Sequence, residues 1–177
     1  MKSVPPERLR NVVLAGHAGA GKTTLAEHLL HAAGALTRLG RVEEGTASLD
    51  FEPEEQKRNL SLSLAIGMLE HDDHRVTLLD TPGYADFVGE VVEGFVAADA
   101  ALIVMDASGG VEAGMENAIA LARQGGKAAI FVLTKCDREN ADPNALSDRH
   151  SAVHPLVNAF GNQLMTTALR PRKSVSR

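Results

Sequence analysis

The stretch GHAGAGKT at residues 16–23 decides the fold class of this chain. It has the spacing of a P-loop, in which two glycines five positions apart are followed by a lysine and a hydroxyl residue. The apolar run at 11–15 predicts a buried strand before it, and residues 22–34 predict a helix after it. In this context backbone N–H groups and the positive end of the helix dipole bind phosphate oxygens. The alternative is a glycine-rich turn that only closes a strand–helix unit, and the flanks disfavour it.

The P-loop supplies most of the predicted nucleotide contacts. We expect Lys22 to reach the β- and γ-phosphates and the Thr23 hydroxyl to hold Mg²⁺. The side chain of His17 is expected to pack rather than to bind phosphate. The predicted nucleotide-binding residues of this segment are Gly16, His17, Ala18, Gly19, Ala20, Gly21, Lys22, Thr23 and Thr24.

Composition excludes several classes of protein. A chain of 177 residues with 44% hydrophobic residues corresponds to about one folded domain, not to a disordered segment. The net charge of −5 is too acidic to bind nucleic acid by charge alone, and the single Cys136 excludes an internal disulfide. No apolar run approaches the roughly 20 residues of a membrane span. We expect a cytoplasmic monomer that binds neither membrane nor DNA directly.

Strand and helix patterns alternate along the chain. Strands are predicted at 11–15, 60–70, 75–79, 100–106 and 127–133, and helices at 22–34, 86–98 and 112–124. This alternation predicts an α/β fold of the P-loop NTPase class, with a doubly wound, mostly parallel sheet and helices on both faces. Within 60–70, the alternation places the even-numbered residues on the apolar face.

The other segments carry weaker signals. Residues 1–10 are predicted to be a flexible lead-in, and 35–59 an irregular polar loop whose glutamates (Glu43, Glu44, Glu52, Glu54 and Glu55) are solvated. Residues 71–74 predict a hairpin turn. The P-loop domain is predicted to span 11–160, with an amphipathic helix at 144–160. Residues 161–177 predict a short strand at 163–169 and a basic, disordered tail.

A second block, Asp80-Thr81-Pro82-Gly83, follows a predicted buried strand. P-loop proteins place a carboxylate at the end of a neighbouring strand to hold Mg²⁺, and Asp80 fits that requirement. Gly83 lacks a Cβ, so its N–H can approach the γ-phosphate closely. An ordinary turn is the alternative for the block alone. Its pairing with the P-loop favours the Mg²⁺ interpretation.

A third block, Thr134-Lys135-Cys136-Asp137, ends the strand at 127–133. The Asp137 carboxylate can accept two hydrogen bonds from the N1–H and 2-amino groups of guanine, a donor pair that adenine lacks. The aliphatic stem of Lys135 can lie along the base plane. A strand end with solvated charges is the alternative for this block alone.

Five segments, taken in order, resemble the G domain of translational GTPases. They are GHAGAGKTTL at 16–25, FEPEEQKRNLSLSLAI at 51–66, DTPGYADFVGEV at 80–91, VMDASGGVEAGMENA at 104–118 and FVLTKCDRE at 131–139. Within that class the chain resembles the elongation factor G family, and its elongation factor G-like paralogues in particular. The resemblance covers about residues 10–140.

The resemblance implies a switch that binds GTP or GDP with Mg²⁺, hydrolyses GTP and acts on the ribosome. It implies that 45–61 is the first switch, with Ser61 at the position of a threonine Mg²⁺ ligand, and that Asp80 and Gly83 belong to the second switch. The implied metal ligands are Thr23, Ser61 and Asp80, the implied guanine-site residues are Thr134, Lys135 and Asp137, and the implied catalytic residues are Lys22, Gly83 and Tyr84.

This sequence departs from the family pattern at three site positions. Gly19 replaces an aspartate that can bind a monovalent cation, Thr134 replaces an asparagine, and Tyr84 replaces the histidine that orients the attacking water. A phenol with a pKa near 10 does not imitate a protonated imidazole at neutral pH, so we expect slow intrinsic hydrolysis. Tyr84 either positions water or covers the site. The Thr134 hydroxyl is expected to replace part of the asparagine contacts.

Residues 138–177 do not match the last strand and guanine-contacting loop of the family. We therefore expect a G domain that is incomplete at its C-terminal side, with an exposed sheet edge. Three alternatives stay open: a nucleotide-binding module with little turnover, a truncated fragment without activity, and an ATP-using P-loop enzyme. The third block disfavours the last of these.

Overall fold

The computed structural model describes residues 4–141 in full, together with the backbone of two short strands at 154–155 and 165–169. Seven strands and four α-helices follow in the order β1 Leu9–Gly16, α1 Lys22–Ala32, α2 Pro53–Arg58, β2 Ala65–His71, β3 His74–Asp80, α3 Val88–Ala97, β4 Ala100–Asp106, α4 Ala113–Gln124, β5 Ala128–Thr134, β6 His154–Pro155 and β7 Met165–Leu169.

The strands form one sheet in the order β2-β3-β1-β4-β5-β7-β6. The four central strands, β3, β1, β4 and β5, run parallel, and β2, β7 and β6 are antiparallel to their neighbours. The register aligns Leu14 with Asp80 and Asp106 with Thr134. The P-loop and the two downstream blocks therefore begin at the same carboxyl edge of the sheet, where open α/β sheets bind ligands.

Helices cover both faces of the sheet, as predicted. On one face Val13, Ile103 and Phe131 pack with residues of α3 and α4, and on the other face Leu14 and Val104 pack with α1. The carboxyl halves of β1, β4 and β5 are buried on both faces, so the runs at 13–15, 103–105 and 131–133 are continuously apolar. The predicted α/β, doubly wound P-loop fold is confirmed.

Strand β2 is shorter than predicted and buries the opposite face. It begins at Ala65, and the hairpin turn at Asp72 and Asp73, which both have positive φ, pairs Ala65 with Asp80. In this register Ala65, Gly67 and Leu69 face α1, while Ile66 and Met68 are 62% and 52% exposed. The prediction was wrong because Gly67 is the position that fits under Leu30, where a Cβ would lie only 2.8 Å from Leu30 Cδ1.

The segment at 35–59 is more ordered than the predicted irregular loop. It contains a 3₁₀ turn at Val42–Glu44 and the helix α2, whose Glu55 side chain accepts a hydrogen bond from the N–H of Glu52. Glu55 is only 1% exposed, so its predicted solvation is wrong. A side chain that folds back on the helix start satisfies a free N–H group and fixes where the helix begins.

The two ends of the chain also differ from the predictions. A 3₁₀ turn at Pro6–Arg8 leads into β1 at Leu9, so the lead-in is not irregular up to residue 10. β7 lies within the predicted strand at 163–169 and pairs with β5, so β5 is not the expected exposed edge. The backbone at His154–Pro155 is a strand rather than part of the predicted helix at 144–160. The rest of that range and the predicted tail lie outside the described residues.

Within the described part of the chain, no helix is both long enough and apolar enough to cross a membrane.

Candidate nucleotide-binding site

The P-loop connects β1 to α1 in a conformation that its glycines allow. Gly16 has a φ of +148°, and a Cβ there would lie 2.2 Å from the carbonyl oxygen of Val104. Gly21 precedes the first residue of α1 and has a φ of +89°. L-residues with a side chain rarely adopt such backbone angles. The sequence therefore fixes both ends of the loop through residues that have no side chain.

Lys22 is buried within the loop. Its Nζ donates to the carbonyl oxygens of His17, at 2.9 Å, and Gly16, at 3.2 Å, and only 6% of the residue is exposed. Burial lowers the pKa of Lys22, while the nearby carboxylates of Asp80 and Glu112 act to raise it. An ammonium group held on two carbonyl oxygens is available for a stronger, charged acceptor such as a phosphate.

A cluster of oxygen atoms lies beside the P-loop. The hydroxyl oxygens of Thr23 and Ser61 are 3.0 Å apart, and Ser61 donates to Asp50 Oδ1 at 2.9 Å. Asp80, at the end of β3, is 1% exposed, and its Oδ1 has no hydrogen-bond partner among the described residues. Hydroxyl and carboxylate oxygens are the ligands that Mg²⁺ prefers, so an orphaned carboxylate oxygen in this cluster fits a bound Mg²⁺.

Asp50 is a member of this cluster that the sequence did not indicate. It is 2% exposed, and burial raises its pKa, an effect that the hydrogen bond from Ser61 opposes. It lies at the end of the loop that precedes α2, in a stretch rich in acidic residues. Composition alone does not separate Asp50 from its solvated neighbours. Asp50 comes eleven residues before Ser61 in the chain, and the short α2 between them brings the two side chains together.

Hydrogen bonds connect the end of β5 to the P-loop. The Thr134 hydroxyl donates to the carbonyl oxygens of Ala20, at 2.7 Å, and Met105, at 3.0 Å. The Nζ of Lys135 donates to Gly19 O at 2.6 Å and to Asp106 Oδ2 at 2.7 Å. Thr134 therefore contacts the P-loop, as expected for a residue at the asparagine position. The Lys135 side chain crosses the outer side of the P-loop, and its aliphatic stem lies beside the cavity.

Asp106 is the ionised partner of Lys135. Burial alone would raise the pKa of Asp106, but hydrogen bonds from Lys135 and Ser108 lower it to about 2. The carboxylate is therefore charged throughout the neutral range and holds Lys135 against the P-loop. Sequence reasoning did not single out Asp106, although it ends a buried strand next to β5.

A cavity of about 280 Å³ joins these blocks. P-loop residues and Ser61 line one part of it, and the rest of the wall includes Val42, Glu43, Asn59, Leu60, Gly83, Tyr84, Lys135 and Arg138. A Cβ on Gly83 would lie 2.5 Å from the Ala18 nitrogen and 2.6 Å from Lys22 Nζ, so this position requires glycine. Tyr84 is 47% exposed and lines the cavity. The volume is near the lower limit of small-molecule sites, which run from about 300 to 1,000 Å³.

Six of the predicted site residues do not line this cavity: Gly16, His17, Ala20, Asp80, Thr134 and Asp137. Asp137 is exposed and is not among the lining residues. His17 lies with its Nε2 3.7 Å from Glu112 Oε1, and a Cβ on Gly114 would be 2.7 Å from the His17 Cα. The His17 backbone thus packs closely against the start of α4.

Residues 7–169 match the sequence profile of the family described as the elongation factor Tu GTP binding domain. The chain belongs to this family. The match runs from the turn before β1 to the end of β7, so it includes all the site residues described above. The resemblance to translational GTPases that the motifs indicated is confirmed.

Curated relatives of this GTP-binding domain are much longer proteins. The chain is 42% identical over 160 residues to an elongation factor G-like protein of Mycobacterium tuberculosis, a match over 90% of this chain and 22% of the relative. It is 39% identical over 141 residues to elongation factor G of Salinibacter ruber, covering 80% and 20% of the two chains. It is 36% identical over 135 residues to the mitochondrial ribosome-releasing factor 2 of Yarrowia lipolytica, covering 76% and 17%.

The fold of this GTP-binding domain also occurs in solved structures. A crystal structure of a Thermus thermophilus protein superimposes with a TM-score of 0.77 at 41% identity, over 88% of this chain and 24% of that one. A bacterial selenocysteine-specific elongation factor superimposes with a TM-score of 0.61 at 25% identity, over 79% and 22%. The GTP-binding domain therefore spans about a fifth of the length of the relatives that it matches.

Asp80 gives the GTP-binding domain an expected pH dependence of stability. Burial raises the pKa of Asp80 to about 7, and the neighbouring Thr23 and Lys22 offset part of that effect. Because the folded state then binds more protons than the unfolded state between about pH 4 and 7, the nucleotide-free domain loses stability as the pH rises through that window. The loss is on the order of a few kcal/mol.

The Asp80→Asn variant tests this dependence. Asparagine has the same shape without the ionisation, so the variant should become more stable relative to the parent between about pH 5 and pH 7.5. Urea unfolding at both pH values, without nucleotide or divalent cation, measures the difference. Parallel pH profiles for the two proteins would show that Asp80 ionises in the folded state as easily as in the unfolded chain.

Proposed function

We propose that this chain is the Mg²⁺-dependent, GTP-hydrolysing domain of an elongation factor G-like protein that acts on the ribosome. The observation that carries the proposal is the orphaned Asp80 Oδ1 in the oxygen cluster beside the P-loop. A divalent cation supplies the charge and the contact that this buried carboxylate lacks. The reaction converts GTP and water to GDP and phosphate.

In this proposal the residues act by positioning and by charge. Lys22 leaves its carbonyl partners to neutralise the β- and γ-phosphates, and the glycine at position 83 brings its N–H to the γ-phosphate. Thr23 and Ser61 bind Mg²⁺ through their hydroxyl oxygens, and Asp80 does so directly or through water. Mg²⁺, when bound, offsets the negative charge of the phosphates.

The base contacts are also part of the proposal. The Asp137 carboxylate accepts hydrogen bonds from the guanine N1–H and 2-amino groups, and the Lys135 stem lies along the base. The Lys135 Nζ contact with Gly19 O and the Thr134 contact with Ala20 O support this assignment, because they fix the base-binding strand end relative to the phosphate loop. A rigid connection between the two parts of a site reduces the entropy lost on binding.

The ribosome is the proposed partner because the named relatives include elongation factor G and a ribosome-releasing factor. We also propose a cytoplasmic, monomeric protein, although the Yarrowia lipolytica relative is mitochondrial. The partner, the location and the step of translation belong to the longer proteins in which this domain occurs.

Single-turnover release of phosphate tests the proposed reaction. The purified chain with Mg²⁺ and GTP is expected to release phosphate at no more than about 10⁻² s⁻¹, in the range of intrinsic GTPases, and faster when ribosomes are added. ATP should give no release above background. Release that is fast without any partner, or equal for ATP and GTP, would contradict the proposal.

A second candidate function is a nucleotide-binding module with negligible turnover. Tyr84 favours it, because a half-exposed phenol lines the cavity where a general acid or a water-positioning group is expected. The single-turnover rate of the parent separates the two candidates, and the Tyr84→Phe variant tests which role the phenol has. If the phenol orients water, removing its hydroxyl lowers the single-turnover rate at unchanged GTP affinity. If it only covers the site, the rate stays the same.

A further inference from the structure

Glu27 is a fully buried carboxylate that the proposed reaction does not use. It lies on α1, one helical turn after Thr23, and is 0% exposed. Its Oε1 accepts hydrogen bonds from the N–H of Ser48 at 2.6 Å, the hydroxyl of Ser48 at 2.5 Å and the N–H of Leu49 at 3.1 Å. Its Oε2 accepts one from the N–H of Gly40 at 3.2 Å.

These four bonds join α1 to both ends of one loop, residues 40–49, which we call the anchored loop. Burying a carboxylate is unfavourable unless hydrogen bonds replace its water, and here three backbone N–H groups and a hydroxyl do so. Gly40 is required for the approach, because a Cβ there would lie 2.5 Å from Thr46 O and 2.7 Å from Glu27 Oε2. Glu27 thus fixes a loop that otherwise has little regular structure.

The anchored loop leads directly into the oxygen cluster. Leu49, which donates to Glu27, is followed by Asp50, whose Oδ1 accepts the hydroxyl of Ser61. The hydroxyl oxygen of Ser61 in turn lies 3.0 Å from that of Thr23, which is in the first turn of the helix that carries Glu27. Val42 and Glu43 of the loop line the cavity. A closed path of contacts therefore runs from the P-loop helix through the loop and back to the predicted Mg²⁺ ligands.

We propose that Glu27 is a positioning residue that couples Mg²⁺–nucleotide binding to the order of the anchored loop. It holds Ser48 and Leu49 so that Asp50 reaches Ser61 and orients its hydroxyl beside Thr23. The inference rests on the proposed nucleotide site. Coupling of this kind raises the affinity for Mg²⁺ because the ligand does not have to order the loop when it binds.

The test compares Glu27→Gln with Leu30→Ala. Glutamine has the same size but carries an NH₂ group that cannot accept an N–H donor, so at least one anchoring bond is lost. Leu30 is buried on the next turn of α1 and packs against Gly67, and its apolar side chain makes no hydrogen bond to the loop. Leu30→Ala therefore controls for loss of stability in the same helix. Both variants are titrated with Mg²⁺ at fixed GDP, and hydrogen exchange is followed at the amides of Gly40, Ser48 and Leu49.

Glu27→Gln is expected to raise the Mg²⁺ concentration for half-maximal GDP binding by about tenfold. It should also accelerate exchange at the three loop amides in the nucleotide-free protein. Leu30→Ala should lower the melting temperature without either effect. Unchanged Mg²⁺ dependence in Glu27→Gln, or equal changes in both variants, would overturn the proposal.

The exchange experiment separates this inference from the proposed function. If the parent protein binds no nucleotide, the proposed function fails, and the coupling fails with it. If the parent binds GDP with Mg²⁺ but its loop amides exchange as fast as those of Glu27→Gln, the nucleotide site stands and only the role of Glu27 is wrong.

Discussion

The Lys22→Met variant is expected to lose guanine-nucleotide binding while its nucleotide-free form stays folded. The Lys22 ammonium is buried on two carbonyl oxygens, and burial lowers its pKa. Methionine has a similar length and no charge to desolvate, so the melting temperature without nucleotide should change by no more than roughly 2–4 °C. For a chain of this size, that shift corresponds to about 1 kcal/mol. Loss of the charged phosphate contact should weaken GDP binding at least about 100-fold.

Titration calorimetry with GDP and Mg²⁺ measures this prediction, with thermal unfolding of the same samples. The matched control is Lys127→Met, because the Lys127 Nζ also donates to a backbone carbonyl, Ala98 O at 2.7 Å, but lies outside the cavity wall. The control should bind GDP like the parent. If Lys22→Met bound GDP within about threefold of the parent, the assignment of Lys22 to the phosphates would be wrong.

Of the variants proposed here, Gly16→Ala should cause the largest loss in the free energy of unfolding. The added Cβ would lie 2.2 Å from the Val104 carbonyl oxygen, and both atoms belong to adjacent strands that cannot separate without breaking the parallel pairing. We expect a loss of at least about 3 kcal/mol in the free energy of unfolding. Loss of the P-loop geometry should follow, so nucleotide should not restore the stability.

The Gly126→Ala variant measures the cost of a positive φ at a position where the added Cβ meets no steric clash. Gly126 has a φ of +59°, but no atom lies within 4 Å of a Cβ built there. Alanine at 126 should therefore lower the free energy of unfolding by only about 1–2 kcal/mol, which is the cost of the backbone conformation. Urea unfolding of both variants measures the difference. Equal losses would mean that the approach of Gly16 to Val104 is not the cause.

Local sequence predicted the parts of the site that depend on fixed spacing. The P-loop, the block at Asp80 and the block at Thr134 each follow a buried strand, so the fold brings them to one edge of the sheet. The face of β2 could not be predicted in the same way. Both sets of alternate residues in 65–69 contain apolar side chains, and the small Gly67 under Leu30, which lies far away in sequence, decides which set is buried.

Three buried carboxylates near the P-loop were missed for a related reason. Asp50 and Glu55 lie among exposed acidic residues, and Glu27 is the one acidic residue of α1. Only the tertiary structure shows that Glu27 and Glu55 accept backbone N–H bonds and that Asp50 accepts the hydroxyl of Ser61. The spacing of Glu52 and Glu55 around Pro53 is a helix-start signal that could have predicted α2. The pairing of β7 with β5 depends on contacts between segments more than thirty residues apart, which no local pattern encodes.

Thermal unfolding of the purified chain with Mg²⁺ and, in turn, GDP, GTP, ADP or ATP shows whether the cavity is a guanine-nucleotide site. A ligand present at about 100 times its dissociation constant should add roughly 2.7 kcal/mol of stability. The prediction is a cooperative transition that GDP and GTP shift to higher temperature and that ADP and ATP leave unchanged. A transition that none of the four shifts, or that the adenine nucleotides shift equally, would contradict it.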